Sequence, residues 1–415
     1  MNTLEKRLRA DAETILRASI GAVKPDSAVR RALEGARFPG RVFLVAVGKA
    51  AWQMASVARE TLPALAGGVV VTKYGHVKGE IADVACYEGG HPVPDENSLR
   101  GTAAALALTQ DLRADDTVLF LLSGGGSALF EQPLLPLADL QDITRALLAA
   151  GADIVEINTV RKRLSAVKGG RFAAHCAPAQ VFSIVLSDIV GDPLDMIASG
   201  PACPDRSTCA QALAVAEKYR LRLSPRARAL LCRETPKTLE NVTTKITGSV
   251  RALCAAAEKE CRALGYESVL LTDRLTCEAR EAGSFLASVA RTHVSSKRPL
   301  AFLAGGETVV HLHGTGKGGR NQELALSAAL GIEGLCNALV ASAGSDGTDG
   351  PTDAAGGIVD GFTAAEMRRR GVSPERALEN NDSYHALRAA AALFFTGPTG
   401  TNVNDLSLVL LRPEE

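Results

Sequence analysis

Short apolar runs and longer amphipathic stretches alternate along this chain. Residues 42–47 (VFLVAV), 118–122 (VLFLL) and 181–186 (VFSIVL) are apolar runs closed by glycine, serine or charged residues. Runs of that length without polar alternation predict strands buried on both faces, as in a parallel sheet. Further strands are expected at 69–72, 269–271, 300–303, 308–313 and 338–341. Between them the spacing turns helical. Leu4, Leu8, Ile15, Leu16 and Ile20 form the stripe of an amphipathic first helix that ends before Pro25. Helices are likewise expected over 50–60, 95–108 with Asp95 as N-cap, 139–150, 154–164, 207–219, 225–232, 250–264, 278–293 and 321–330. Strands separated by helices of ten or more residues predict an α/β sandwich around a mostly parallel sheet.

At 415 residues the chain exceeds one ordinary core, so two domains are expected. The polar stretch ETPKTLENVTT at 234–244 reads as the linker, which divides the chain into 1–233 and 245–415.

Composition narrows the function classes. Lysine plus arginine and aspartate plus glutamate both number 46, so the formal net charge is zero and a basic surface for nucleic acid is not indicated. Aromatics are 4%, too few for base-stacking platforms. No apolar run approaches the roughly 18 residues of a membrane span. The first twenty residues are charged throughout and lack the apolar core of a signal peptide, which predicts a cytoplasmic protein. Nine scattered cysteines with no CxxC argue against a zinc or disulfide framework. Cys254 and Cys261, seven apart on one helix, read as core.

The candidate chemistry lies in loops that follow strands, where open α/β sheets bind ligands. Ser123, Gly124, Gly125, Gly126 and Ser127 follow the strand at 118–122 and offer backbone N–H groups to a nucleotide or phosphate; a tight strand–helix turn that binds nothing is the alternative. Lys49 follows the first strand at a helix start, where the helix dipole disfavours a cation unless an anion offsets it. Asp188 and Asp192, four apart at a strand end, fit either Mg²⁺ or simple turn chemistry. The basic stretch with Asn158, Arg161 and Lys168 is either a solvated helix face or a substrate-anion contact. The loop 314–320 contains a GxGxxG pattern, but no acidic residue ends the next strand, so Lys317, Gly319 and Arg320 read as phosphate or carboxylate ligands instead of an NAD site. Asp346 and Asp349 lie in a carboxylate loop suited to Mg²⁺ or a hydroxyl. Asn402 and Asn404 lie in a Gly/Thr/Asn segment that can bind a small polar substrate or serve as a structural loop. His311 and His313 share a strand face, with no third ligand nearby in sequence for a metal.

Eight stretches together resemble the glycerate 2-kinase family, whose C-terminal half is known as the MOFRL domain: VAVGKAAWQMA (45–55), GGHPVPDENSL (89–99), LLSGGGSALF (121–130), INTVRKRLSAVKGGR (157–171), SDIVGDPLDMIASGP (187–201), GGETVVHLHGTGKGGRNQELAL (305–326), GSDGTDGPTDAAGG (344–357) and TGPTGTNVNDL (396–406). They run in the family's order across nearly the whole chain. The resemblance implies an N-terminal Rossmann-like α/β domain, a smaller C-terminal α/β domain and an active site in the cleft between them. It implies transfer of the γ-phosphoryl group of ATP to the C2 hydroxyl of D-glycerate, with ATP and Mg²⁺ as cofactors. Lys49 and Arg320 look like the catalytic cations, and Asp192 is expected to act with them. The expected partners are D-glycerate and ATP, with no nucleic acid and no membrane, and a homodimer is the assembly kept open. An NAD(P)-dependent hydroxypyruvate reductase and a non-catalytic small-anion binder are the other classes.

Overall fold

Side-chain alternation along the buried strands sorts the apolar residues between two cores. The computed structural model describes residues 3–413, and it divides into a contiguous unit, Ala28–Thr247, and a composite unit that joins Met1–Ser27 to Gly248–Glu415. Six strands lie in the contiguous unit: β1 (Val42–Val47), β2 (Gly67–Lys73), β3 (Val84–Gly89), β4 (Thr117–Leu122), β5 (Gln180–Leu186) and β6 (Val242–Gly248). They form one sheet in the order β3-β2-β1-β4-β5-β6, and the pairs from β3 through β5 are parallel. Phe43, Val45 and Val47 of β1 enter one core with Phe120, Phe130 and Phe172. Leu44 and Ala46 point the other way, into a second core with Met54, Leu119 and Ile184. Both faces of β1 and β4 are thereby covered, which is why their sequences carry no polar alternation. The chain reverses its direction of strand addition between β1 and β4, the switch point of a doubly wound sheet, and ligands bind at the carboxyl ends there.

The composite unit contains β7 (Glu267–Leu275), β8 (Leu300–Gly306), β9 (Ala338–Gly344), β10 (Gly356–Asp360), β11 (Leu393–Phe394) and β12 (Asp405–Leu411). Their order is β11-β10-β9-β12-β8-β7. Only β7 and β8 run parallel; β12 is antiparallel to both β8 and β9, so this sheet is mixed. Helices Ala279–His293 and Arg320–Gly331 contribute to one core, and helices Thr3–Ala22 and Val250–Ala263 to the other.

Three expectations change. The first helix does not belong with the residues that follow it. Its Leu8, Ile15, Leu16 and Ile20 are buried with Leu253, Cys254 and Cys261, while Tyr266 donates to Asp11 at 2.6 Å and Arg412 pairs with the same carboxylate at 3.2 Å. The stretch 234–244 is not a free linker, because β6 begins inside it and Val181 N–H donates to the Asn241 carbonyl at 2.7 Å. The expected strand at 308–313 is absent: Val309 makes one isolated bridge to Glu278, and His311 Nδ1 lies 3.3 Å from the Glu278 carboxylate. No helix among the described residues is long and apolar enough to cross a membrane.

Candidate active site

In the contiguous unit the carboxyl ends of β1 and β4 are stitched together. Lys49 N–H donates to the Gly124 carbonyl at 2.8 Å, and Ala50 N–H donates to Ser123 Oγ at 3.1 Å. The buried Ser123 hydroxyl also donates to the Val47 carbonyl at 3.4 Å, so it fixes the loop and does not face a ligand. Gly125 has φ +87°, a conformation open to glycine, and it starts the short helix Gly126–Leu129. A Cβ there would stand 3.1 Å from the His91 ring and 3.2 Å from Lys49 Cγ, and one on Gly124 would run into the Asp188 carboxylate. Lys49, His91 and Asp188 therefore surround the bare backbone of this loop. The Lys49 side chain is exposed and forms no ion pair among the described residues. Burial lowers the His91 pKa, and the cations Lys49 and Lys73 push it the same way, so the ring is neutral near pH 7.

The basic stretch serves the interior. Lys168 is fully buried, and its ammonium reaches the carbonyls of Ser127 at 2.9 Å and Phe130 at 2.8 Å and the Glu131 carboxylate at 3.2 Å. The ammonium is thus held inside the unit by two carbonyls and a carboxylate, and the side chain does not reach solvent. Burial lowers its pKa to about 8, with Glu131 pulling the other way. Arg161 donates to the Ser127 carbonyl at 2.9 Å. Asn158 accepts from Ser199 Oγ at 2.8 Å, and Ser199 in turn lies 3.2 Å from Ser127 Oγ. Asn158 and Lys168 are buried and Arg161 nearly so; all three hold the glycine-loop helix from within. Lys162 and Arg163 are buried as well, against Asp205, Asp195 and Glu234.

In the composite unit, Arg320 opens its helix beside two carboxylates. Its Nε and Nη2 form a fork onto Asp405 at 2.6 and 3.0 Å, and Nη1 donates to Glu307 at 2.6 Å. Asn404 Nδ2 donates to the other Glu307 oxygen at 3.0 Å. Asp405 is buried, which pushes its carboxyl up to about 6 while Arg320 pulls against that rise. Asp349 does not present a metal ligand. Its carboxylate is buried and accepts from the backbone N–H groups of Asn321 and Gln322 at 3.2 and 2.8 Å, where it caps the helix. Asp346 accepts from Thr348 N–H at 3.0 Å and stays half-buried. The glycines of 314–319 are needed for close packing. A Cβ on Gly314 or Gly316 would strike Asn380, and one on Gly319 would strike Asp349. Lys317 lies over the Tyr384 ring at 4.7 Å. Asn402 is exposed, and Asn404 is buried on Glu307.

Residues 11–232 match a family described as a domain of unknown function, DUF4147, and residues 300–405 match the MOFRL family. A D-glycerate 2-kinase of Thermotoga maritima is 54% identical over 404 residues, which cover 96% of this chain and 97% of that protein. A glycerate 2-kinase of Pyrococcus horikoshii is 41% identical, over 95% of this chain and 93% of its own length. The crystal structure of glycerate kinase from Thermotoga maritima superposes with a TM-score of 0.95 at 53% identity, covering 98% of this chain and all of that one.

The chain belongs to the glycerate 2-kinase family.

For a glycerate 2-kinase family member, the geometry adds residues that sequence reading passed over. His91 stands in the stretch GGHPVPDENSL (89–99) with no role assigned to it, yet it borders the glycine loop. Glu307 and Asp405 carry no spacing signal toward Arg320, because they lie 13 residues before it and 85 after it. A carboxylate directly after a strand, as Glu307 is after β8, was the one available cue.

Proposed function

We propose that this protein is a D-glycerate 2-kinase, which transfers the γ-phosphoryl group of ATP to the C2 hydroxyl of D-glycerate and yields 2-phosphoglycerate and ADP. The observation that carries the reading is 54% identity to a D-glycerate 2-kinase along nearly the whole of both chains. Phosphoryl transfer asks a protein for positioning and for cations around three phosphoryl oxygens. Lys49 supplies an exposed ammonium at the switch point, beside backbone that only glycine permits. Arg320 supplies a planar guanidinium whose orientation Asp405 fixes through two bonds. His91, neutral near pH 7, can donate one hydrogen bond without adding charge.

Mg²⁺ is expected to enter as MgATP, which needs only one or two protein carboxylates. Asp188 and Asp192 fit that part. Asp188 lies against Gly124, and Asp192 Oδ1 is buried without a hydrogen-bond partner. The ion would neutralise the charge that builds on the β- and γ-phosphate oxygens.

A coupled assay of ADP release tests the reading. Release should depend on D-glycerate, and turnover of ATP that ignores glycerate would overturn it. Asp192 has φ +51°, which asparagine tolerates as well as aspartate does, so Asp192→Asn should keep the turn. The variant is expected to raise the Mg²⁺ concentration for half-maximal rate about tenfold, equivalent to about 1.4 kcal/mol. An unchanged Mg²⁺ titration would remove Asp192 from the metal site.

A further inference from the structure

Two carboxylates grip Arg320, and they differ in what remains available to a substrate. Asp405 has both oxygens on the guanidinium, and its side chain is 7% exposed. Glu307 has one oxygen on Arg320 Nη1 and the other on Asn404 Nδ2, and its side chain is 45% exposed. A carboxylate oxygen has more than one lone pair, so Glu307 keeps acceptor capacity toward solvent, whereas Asp405 is enclosed. Asn404 is buried and holds φ +66°, which anchors the amide that orients Glu307. Glu307 itself follows the last residue of β8 and donates its N–H to the Leu275 carbonyl at 2.8 Å, so its backbone is fixed as well.

We propose that Glu307 is the general base that takes the proton of the glycerate C2 hydroxyl. This rests on the kinase reading and on Arg320 contacting the transferred phosphoryl group. A group within 2.6 Å of Arg320 is then within reach of the hydroxyl that attacks that phosphorus. The proton passes to a Glu307 carboxylate oxygen as the hydroxyl oxygen forms its bond to the γ-phosphorus. The bond from that phosphorus to the bridging oxygen breaks, and ADP leaves with its electron pair. An incoming phosphoryl oxygen competes for Arg320 Nη1, while Asp405 continues to hold the other edge of the guanidinium. Loss of the Nη1 contact frees a lone pair of Glu307 toward the hydroxyl, and Asn404 keeps the carboxylate in place. The other charged groups acting on Arg320 are Asp405 and Asp349, and neither has a carboxylate open to a substrate.

The test is the pH profile of kcat for wild type, Glu307→Gln and Glu307→Asp, with D-glycerate and MgATP. Wild type should lose activity on the acid side as the base protonates. Glu307→Gln should lower kcat about 100-fold, leave KM for glycerate within threefold, and abolish the acid limb. Glu307→Asp, which withdraws the carboxylate by one methylene, should lower kcat about tenfold and keep the limb. A glutamine variant whose acid limb persists, or whose kcat stays within threefold of wild type, overturns the proposal; a persisting limb would point to Asp405. If Glu307→Gln shows no melting transition, Glu307→Asp decides alone, and kcat within threefold of wild type refutes it. Failure of the kinase reading looks different, since wild type itself would then release no ADP in response to glycerate.

Discussion

Lys49→Ala is expected to fold normally and to lose kcat by about 10²–10³-fold, the size seen when one preorganised donor to developing charge is removed. The fold should survive because the structural work at this position belongs to the backbone. Its N–H holds the Gly124 carbonyl and its carbonyl accepts from His76 Nδ1 at 2.8 Å, and alanine keeps both. The side chain makes no ion pair among the described residues, so truncation orphans no partner. Phosphoryl transfer would nonetheless lose a cation beside the glycine loop. Thermal melting and steady-state kinetics separate the two effects. A melting temperature within 2 °C of wild type and a kcat within about threefold, well under 1 kcal/mol of barrier, would remove Lys49 from catalysis.

Arg320→Lys is expected to lower kcat by about 10³-fold, at the lower end of the worth of a guanidinium on a transferring phosphoryl group. Lysine keeps the charge and loses the planar fork, so it cannot hold Asp405 with two bonds and still reach Glu307. Arg320→Ala should also destabilise the fold, by about 3 kcal/mol, because it leaves the buried Asp405 carboxylate uncompensated. That deficit carries a pH signature. Burial already raises the Asp405 pKa to about 6, above its unfolded value, and loss of Arg320 raises it further. The folded variant then binds a proton that the unfolded chain has released, so its stability falls as pH rises through the folded pKa. The gap in melting temperature between wild type and Arg320→Ala should therefore widen from pH 4 to pH 8. A gap that is flat with pH would show that Asp405 does not depend on Arg320.

The sequence was most legible where a pattern reports its own surroundings. The unbroken apolar runs of β1 and β4 required cover on both faces, and the doubly wound sheet provides it. It was least legible where partners are distant. The run from Asn158 to Arg171 looks like a solvated or anion-binding face, because Glu131, Asp205 and Glu234 lie 30 to 71 residues from the cations they pair with. Glycine was ambiguous for a related reason. The loops at 123–127 and 314–319 look alike, yet the first borders Lys49 and His91 while the second is glycine-rich because Asn380, Asp382 and Asp349 press against it. The run Asp405–Leu411 has the apolar content of a strand, but its place between β8 and β9 follows from antiparallel pairing that no local signal announces.

The helix Thr3–Ala22 precedes the contiguous unit in the chain, yet the residues it packs with follow that unit. Its apolar stripe is buried against Leu253, Cys254 and Cys261 and in the core that holds Leu406, Leu408 and Leu410 of β12. At translation rates of about 5–20 residues per second, roughly 20–80 s separate the emergence of that helix from the emergence of β12. The contiguous unit, Ala28–Thr247, has all its strands available well before then. The contiguous unit is therefore synthesised while the partners of that amphipathic helix have yet to be made. A nascent chain arrested before Val250 should hold that helix open to chaperones and proteases, while one extended past Leu411 should bury it.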